Sequence, residues 1–289
     1  MPGGRGLSAE VCEKIVERVF SWDLKPKNFR VFARDLLVVV CGVRPAVFCD
    51  EVHFRCKDWT KIREFLREVG VVSGVAVSCL LYKDPSQWDV KGSDGGVLYL
   101  VNRELLKQNC AAQEGRRWPI YLAQKPSSRD VRTVLDNESA TKFVLSMVEE
   151  VLTALENEPN DRLVDLSCIP GASQSLPMLN GWLLEYPLIY AYGIDHLNPE
   201  LGGVVGCMDE KSVIRCCLEC KLVGISQHRM AVSPVPQLFS FTVPEGVLDE
   251  DELLAAVRDR LKSRIGGVEG VWGELEVVRE RPGRVAWAV

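Results

Sequence analysis

Histidine is close to absent from this chain, with three residues in 289. That scarcity leaves little imidazole for metal centres or proton relays. Bases are outnumbered as well: 35 against 40 acids, for a formal net charge of -5. With no basic stripe there is no broad electrostatic footprint for nucleic acid. Long apolar runs are missing too. The most apolar stretch, residues 36–49, is too short to span a bilayer and contains Arg44 and Pro45. The opening Met1-Pro2-Gly3-Gly4-Arg5-Gly6 holds no signal-peptide core and no glycine at position 2. Neither export nor myristoylation is therefore expected, and the tail Ala286-Trp287-Ala288-Val289 matches no receptor-read address. The expected place is the cytosol, with the nucleus also open to it, and neither nucleic acid nor membrane is an expected partner. Internal repeats and low-complexity blocks are lacking. Lys91-Gly92-Ser93-Asp94-Gly95-Gly96 is glycine-rich but lacks the Lys-Ser/Thr ending of a phosphate loop and opens no helix, so it reads as a turn before a strand.

What is plentiful is core material. Hydrophobic residues make up 47% and charged residues 26%, values of a chain that buries a sizeable interior. Eleven cysteines lie mostly inside apolar runs. An odd count without a secretory signal opposes a disulfide framework and predicts reduced, buried thiols.

Periodicity supplies the elements. Residues 1–7 read as a flexible tail, and Ser8 caps a helix whose Val11, Cys12, Ile15, Val16, Val19 and Phe20 recur at helical spacing. Further helices are predicted over 28–41, stopped by Gly42, over 58–69, stopped by Gly70, over 103–112, over 138–155 and over 249–265. Strands are predicted at 45–49, 75–82, 97–101, 120–122, 162–166 and 187–192. Residues 204–207, 213–225 and 237–243 read as an antiparallel meander, and 272–278 with 284–288 as a hairpin around Pro282-Gly283. The fold class is α+β: a mixed sheet, with the meander in the second half, packed against several amphipathic helices. With no long linker, residues 8–289 are expected to form one domain.

Three groups of residues invite chemistry. Cys217-x-x-Cys220 has zinc spacing, and Cys207 with His228 would complete four ligands. Between 213 and 222, however, Ile214, Cys216, Leu218, Cys220 and Leu222 alternate with Arg215, Cys217, Glu219 and Lys221. A strand sends residues three apart to opposite faces, so this pair diverges and no metal is expected. His228 belongs to a polar connection and should be exposed.

The second group lies after strands 45–49, 162–166 and 187–192, which are followed by Asp50, Glu51 and His53, by Cys168, and by Asp195 and His196. Were these strands parallel neighbours, Asp50, His53, Cys168, Asp195 and His196 would gather on one sheet edge, where α/β folds place ligands. Cys168 and His196, with Asp195 or Asp50 orienting the ring, would then make a thiol nucleophile. The plainer alternative is that polar residues end strands because chains turn in water. His53 and His196 with Asp50 and Asp195 have no ligand spacing of their own, and no cofactor is expected. The third group, Arg258, Arg260, Lys262 and Arg264, follows an acidic helix start and complements the helix dipole.

The stretch Leu179 to Tyr190 packs Trp182, Tyr186 and several leucines around Gly181 and Pro187 with one charge, Glu185. Such density predicts burial against the sheet; an aromatic patch for a partner is the competing view. Within it, Asn180-Gly181-Trp182-Leu183-Leu184-Glu185-Tyr186-Pro187 resembles a motif of the uncharacterised protein family 0739 (domain of unknown function 4504), a eukaryotic group of similar chain length. Gly42-Val43-Arg44-Pro45-Ala46-Val47-Phe48-Cys49-Asp50 resembles that family's helix-then-strand stretch. The resemblance implies a single intracellular domain and brings no activity or catalytic residues with it. The sequence therefore points first to a non-catalytic protein acting through an unknown protein partner. A thiol-dependent hydrolase or transferase built on Cys168 and His196 is the alternative, and a zinc-stabilised module comes third.

Overall fold

The computed structural model describes residues 7–22, 29–49, 59–83, 96–112, 119–124, 131–134, 137–157, 163–170, 175–190, 213–223, 237–244, 249–268 and 270–280. Helix α1 (Ala9–Ser21) starts where Ser8 accepts a hydrogen bond from the Val11 amide and buries Cys12, Ile15, Val16 and Val19 along one stripe. Helix α2 (Phe29–Val40) is buried at nearly every position of its second half. Gly42, at φ +67°, ends it. The Gly42 amide donates to Val39 O at 3.1 Å and the Val43 amide to Val38 O at 3.0 Å, the paired bonds of a Schellman cap. After strand β1 (Ala46–Phe48), helix α3 (Trp59–Ser73) runs a turn beyond the predicted stop at Gly70. A glycine inside a helix costs only about 1 kcal/mol. The left-handed position falls instead on Gly74, at φ +70°, whose amide donates to Gly70 O at 2.9 Å. Trp22 stacks on Phe65 at 4.4 Å and on Phe32 at 5.9 Å, pinning the three helices together.

Strands β2 (Val77–Lys83) and β3 (Gly96–Asn102), helix α4 (Arg103–Ala111), strands β4 (Ile120–Gln124) and β5 (Val131–Val134) and helix α5 (Asn137–Asn157) follow. Strand β6 (Leu163–Asp165) leads into a 3-10 turn, Leu166–Cys168, then helix α6 (Leu176–Leu183) and strand β7 (Leu188–Tyr190). Strands β8 (Val213–Leu222) and β9 (Gln237–Pro244), helix α7 (Glu250–Ile265) and strand β10 (Trp272–Glu280) complete the described chain.

The strands form three sheets, ordered β1-β3-β2-β6, β10-β8-β9 and β5-β4-β7. In the first, β3 runs antiparallel to β1 and β2, and β6 parallel to β2. Both faces of this sheet are covered, so its strands read as nearly continuous apolar runs. Alternation sends Val47, Val77, Cys79, Leu98 and Leu100 into a core shared with α1, α2, α3, α7 and the β10-β8-β9 sheet. Their neighbours Ala46, Leu80, Tyr99, Val101 and Val164 enter a second core with α4, α5, α6, Tyr121 and Ile189. The class is α+β as expected, and β8 and β9 form the expected antiparallel pair. Strand β10 joins them on the far side of β8. Residues 204–207 and 284–288, expected in the meander and the hairpin, lie outside the described residues.

Two elements escape sequence reasoning. Strand β5 has four residues, too few to show a period. Helix α6 contains Pro177 and Gly181, which read as breakers, but the proline sits in the first turn, where no amide donor is needed. Gly181 is required by packing: a Cβ there would lie 2.9 Å from Ile189 Cγ1 on β7. Among the described residues no helix is long and apolar enough to cross a membrane.

Candidate functional site

The expected gathering of strand ends rests on β1, β6 and β7 being parallel neighbours, and they are not. Strands β1 and β6 do run the same way, but β3 and β2 stand between them. At about 4.8 Å per strand that separates them by about 14 Å. Strand β7 belongs to another sheet, beside β4. The cause is the antiparallel return of β3, which pairs with both β1 and β2 and so opens the distance between the strand ends. Cys168 is exposed at the end of the 3-10 turn after β6. The turn is capped by Asp165, whose carboxylate accepts from the Ser167 amide and hydroxyl. Asp50, His53, Asp195 and His196 lie outside the described residues.

On β8 the zigzag holds. Both bulges at its flanks place the extra residues on the partner strands, so β8 itself stays regular. Cys216, Leu218 and Cys220 enter the first core, and Cys217 belongs to the opposite face. Cys217 is nonetheless buried there, 2% exposed between Ser240 and Val278. Cys207 and His228 lie outside the described residues, among which no cluster of three or more His, Cys, Asp or Glu could hold a metal. Burial pushes the thiols of Cys110, Cys216 and Cys220 up to about 11 and that of Cys79 higher still, so these four are neutral thiols near pH 7.

A dense polar centre lies where sequence reasoning did not look. Helix α6 ends in the same cap as α2, with the Glu185 amide donating to Trp182 O at 2.9 Å and the Tyr186 amide to Gly181 O at 2.8 Å. The left-handed position is filled here by Glu185, at φ +54°, which no other described non-glycine residue shares the sign of. A side chain in that conformation costs on the order of 1–2 kcal/mol. Its carboxylate compensates. Although Glu185 is only 8% exposed, Arg264 grips both oxygens, at 2.6 and 2.8 Å. Asn109 donates to Oε1 at 2.7 Å and accepts from Arg264 at 3.3 Å. The Arg260 guanidinium donates to the Glu185 carbonyl at 2.9 Å. Burial alone would raise the carboxyl pKa of Glu185, but Arg260, Arg264 and Arg44 together hold it below the ordinary glutamate value.

Arg44 extends this centre. It is 7% exposed and donates to Leu184 O at 2.6 Å and to Leu238 O at 3.2 Å, with its guanidinium 4.5 Å from the Phe239 ring centre. Arg264 also donates to Val43 O at 3.1 Å. One network thus fastens α4, α6, α7 and β9 to the segment between α2 and β1. Arg260 and Arg264, four residues apart, face inward on α7 instead of serving only its dipole, whose start is capped by Asp249. Two sequence signals could have found this centre: Glu185 and Arg44 are lone charges inside apolar runs, and a buried charge needs a partner. Arg44 and Glu185 also come from the two stretches, 42–50 and 180–187, that carry the family resemblance, and the network joins those stretches in space. Neither a curated protein nor a solved structure matches the chain. A family model does, over residues 14–278. The chain belongs to the family described as domain of unknown function (DUF4504).

Proposed function

We propose that this is a non-catalytic intracellular protein, in the cytosol and open to the nucleus, whose residues 8–289 form one domain that acts through a protein partner. One observation supports it. Around Glu185, where the described residues concentrate charge, the carboxylate is satisfied by Arg264 and Asn109 and the nearby carbonyls by Arg44 and Arg260. Such a centre stiffens a scaffold and leaves the carboxylate no room to move a proton for a substrate. The test is in-cell crosslinking of the full chain followed by sizing under native conditions. The protein should migrate well above its 32.3 kDa monomer mass with a reproducible partner attached. Migration as the bare monomer, with nothing crosslinked, defeats the proposal.

A second reading, a thiol-dependent hydrolase or transferase, has its own support. Cys168 is the one exposed thiol among the described cysteines and sits just past the end of a strand. Catalysis would require its activation by His196 with Asp195 or Asp50. Alkylation of Cys168 near neutral pH should then outpace that of a model cysteine and slow in H196A. A rate equal to the model thiol removes this alternative.

A further inference from the structure

The thiols of Cys12 and Cys41 lie sulfur to sulfur at 3.6 Å, within hydrogen-bond distance. Cys12 faces inward from α1 and is fully buried, while Cys41, at the cap of α2, is part-exposed. The Cys220 thiol, by contrast, donates to a backbone carbonyl, Gly273 O, at 3.2 Å. Closing to a bond of about 2.05 Å asks for a sulfur shift of about 1.5 Å, within reach of small side-chain rotations. We propose that Cys12 and Cys41 are an oxidation site, converted by a peroxide into a disulfide that staples α1 to the cap of α2. The Cys12 sulfur, as thiolate, attacks the peroxide and breaks its O–O bond, becoming a sulfenic acid while the peroxide is reduced to water or an alcohol. The Cys41 sulfur then attacks the Cys12 sulfur, displacing hydroxide, which leaves as water with the Cys41 proton. Each sulfur loses one electron and the peroxide gains two. The hydrogen bond between the two sulfurs lowers the pKa of Cys12 and raises that of Cys41, so Cys12 is the member of the pair that ionises first.

The full-length protein, treated with hydrogen peroxide in the presence of the sulfenic-acid trap dimedone and digested without reduction, tests this. The expected product is the tryptic peptide 6–14 joined to 35–55, two hydrogens lighter than the separate peptides, with fragment spectra assigning the bond to Cys41 rather than Cys49. Dimedone should mark exposed Cys168 and spare the pair, because the neighbouring thiol consumes the sulfenic acid first. A dithiol reductant should restore the separate peptides. C41A should abolish the link and leave dimedone labelling of Cys168 unchanged. If Cys168 is oxidised while peptides 6–14 and 35–55 stay unlinked in the wild-type chain, or if Cys12 joins a different cysteine, the proposal is overturned. Because the decisive comparison is made on the wild-type protein, a misfolded variant does not rescue it.

Discussion

Two helices of this protein finish with the same hydrogen-bond pattern and different residues in its strained position. At the end of α2 the position holds Gly42, for which a positive φ carries no side-chain penalty. At the end of α6 it holds Glu185, which pays the steric cost and anchors Arg264, Asn109 and Arg260. The first cap only turns the chain. The second turns it and also sets a buried carboxylate where helices α4 and α7 converge. A non-glycine residue in this conformation persists when its surroundings over-determine it, and here the surroundings are a set of arginines.

The comparison is broken most severely by Glu185→Gly. Backbone strain disappears, yet two guanidiniums lose their buried partner. The expected loss is about 3–5 kcal/mol by urea denaturation, as for removal of one member of a buried ion pair. A stability equal to or above wild type would show that the cap, and not the carboxylate, matters. Acid sharpens the same point. A carboxyl held below its unfolded value contributes stability above the unfolded pKa, about 4.3 for glutamate, and loses it as pH falls through the lower folded value. The stability gap between wild type and Glu185→Gln should therefore be full near pH 7 and narrow below about pH 4; a gap that widens in acid contradicts the network.

A smaller effect is expected at Gly181, in the same cap. Its missing Cβ leaves room for Ile189, so Gly181→Ala should cost about 1–3 kcal/mol through overpacking, and Ile189→Ala should relieve part of it in a double-mutant cycle. Additive costs would place the strain elsewhere. The mildest change is Gly42→Ala. Nothing lies within 4 Å of a Cβ there, so only the backbone conformation objects, by about 1 kcal/mol in thermal unfolding. A larger loss would mean that the two helix ends differ less than their side chains suggest.

How far the sequence shows these features depends on how local their causes are. Helices α1, α5 and α7 were legible because burial follows their own apolar period. Strand β8 was legible because alternation assigns Cys216 and Cys220 to one face whatever lies beyond it. Helix α6 was hidden because Gly181 is tolerated only through a contact with Ile189, eight positions on and in another element. The strand order that the strand-end grouping assumed was hidden for a similar reason. Nothing within residues 45–49 or 162–166 says that β3 will return between them. The network at Glu185 joins positions as far apart as 43 and 264, a separation no local pattern can express. Only the isolated charges of Arg44 and Glu185 hinted at it.

Because the β1-β3-β2-β6 sheet is apolar on both sides, oil and water cannot tell its strands how to align. A slip by one residue would exchange two greasy surfaces without wetting either. Specific polar links choose the alignment instead: the Tyr99 hydroxyl donates to Asn180 Oδ1 at 2.6 Å, and Asn102, at the end of the same strand, donates through its amide side chain to Val39 O at 3.1 Å. These two tethers reach opposite layers of the molecule, so one strand, correctly threaded, places both interiors at once.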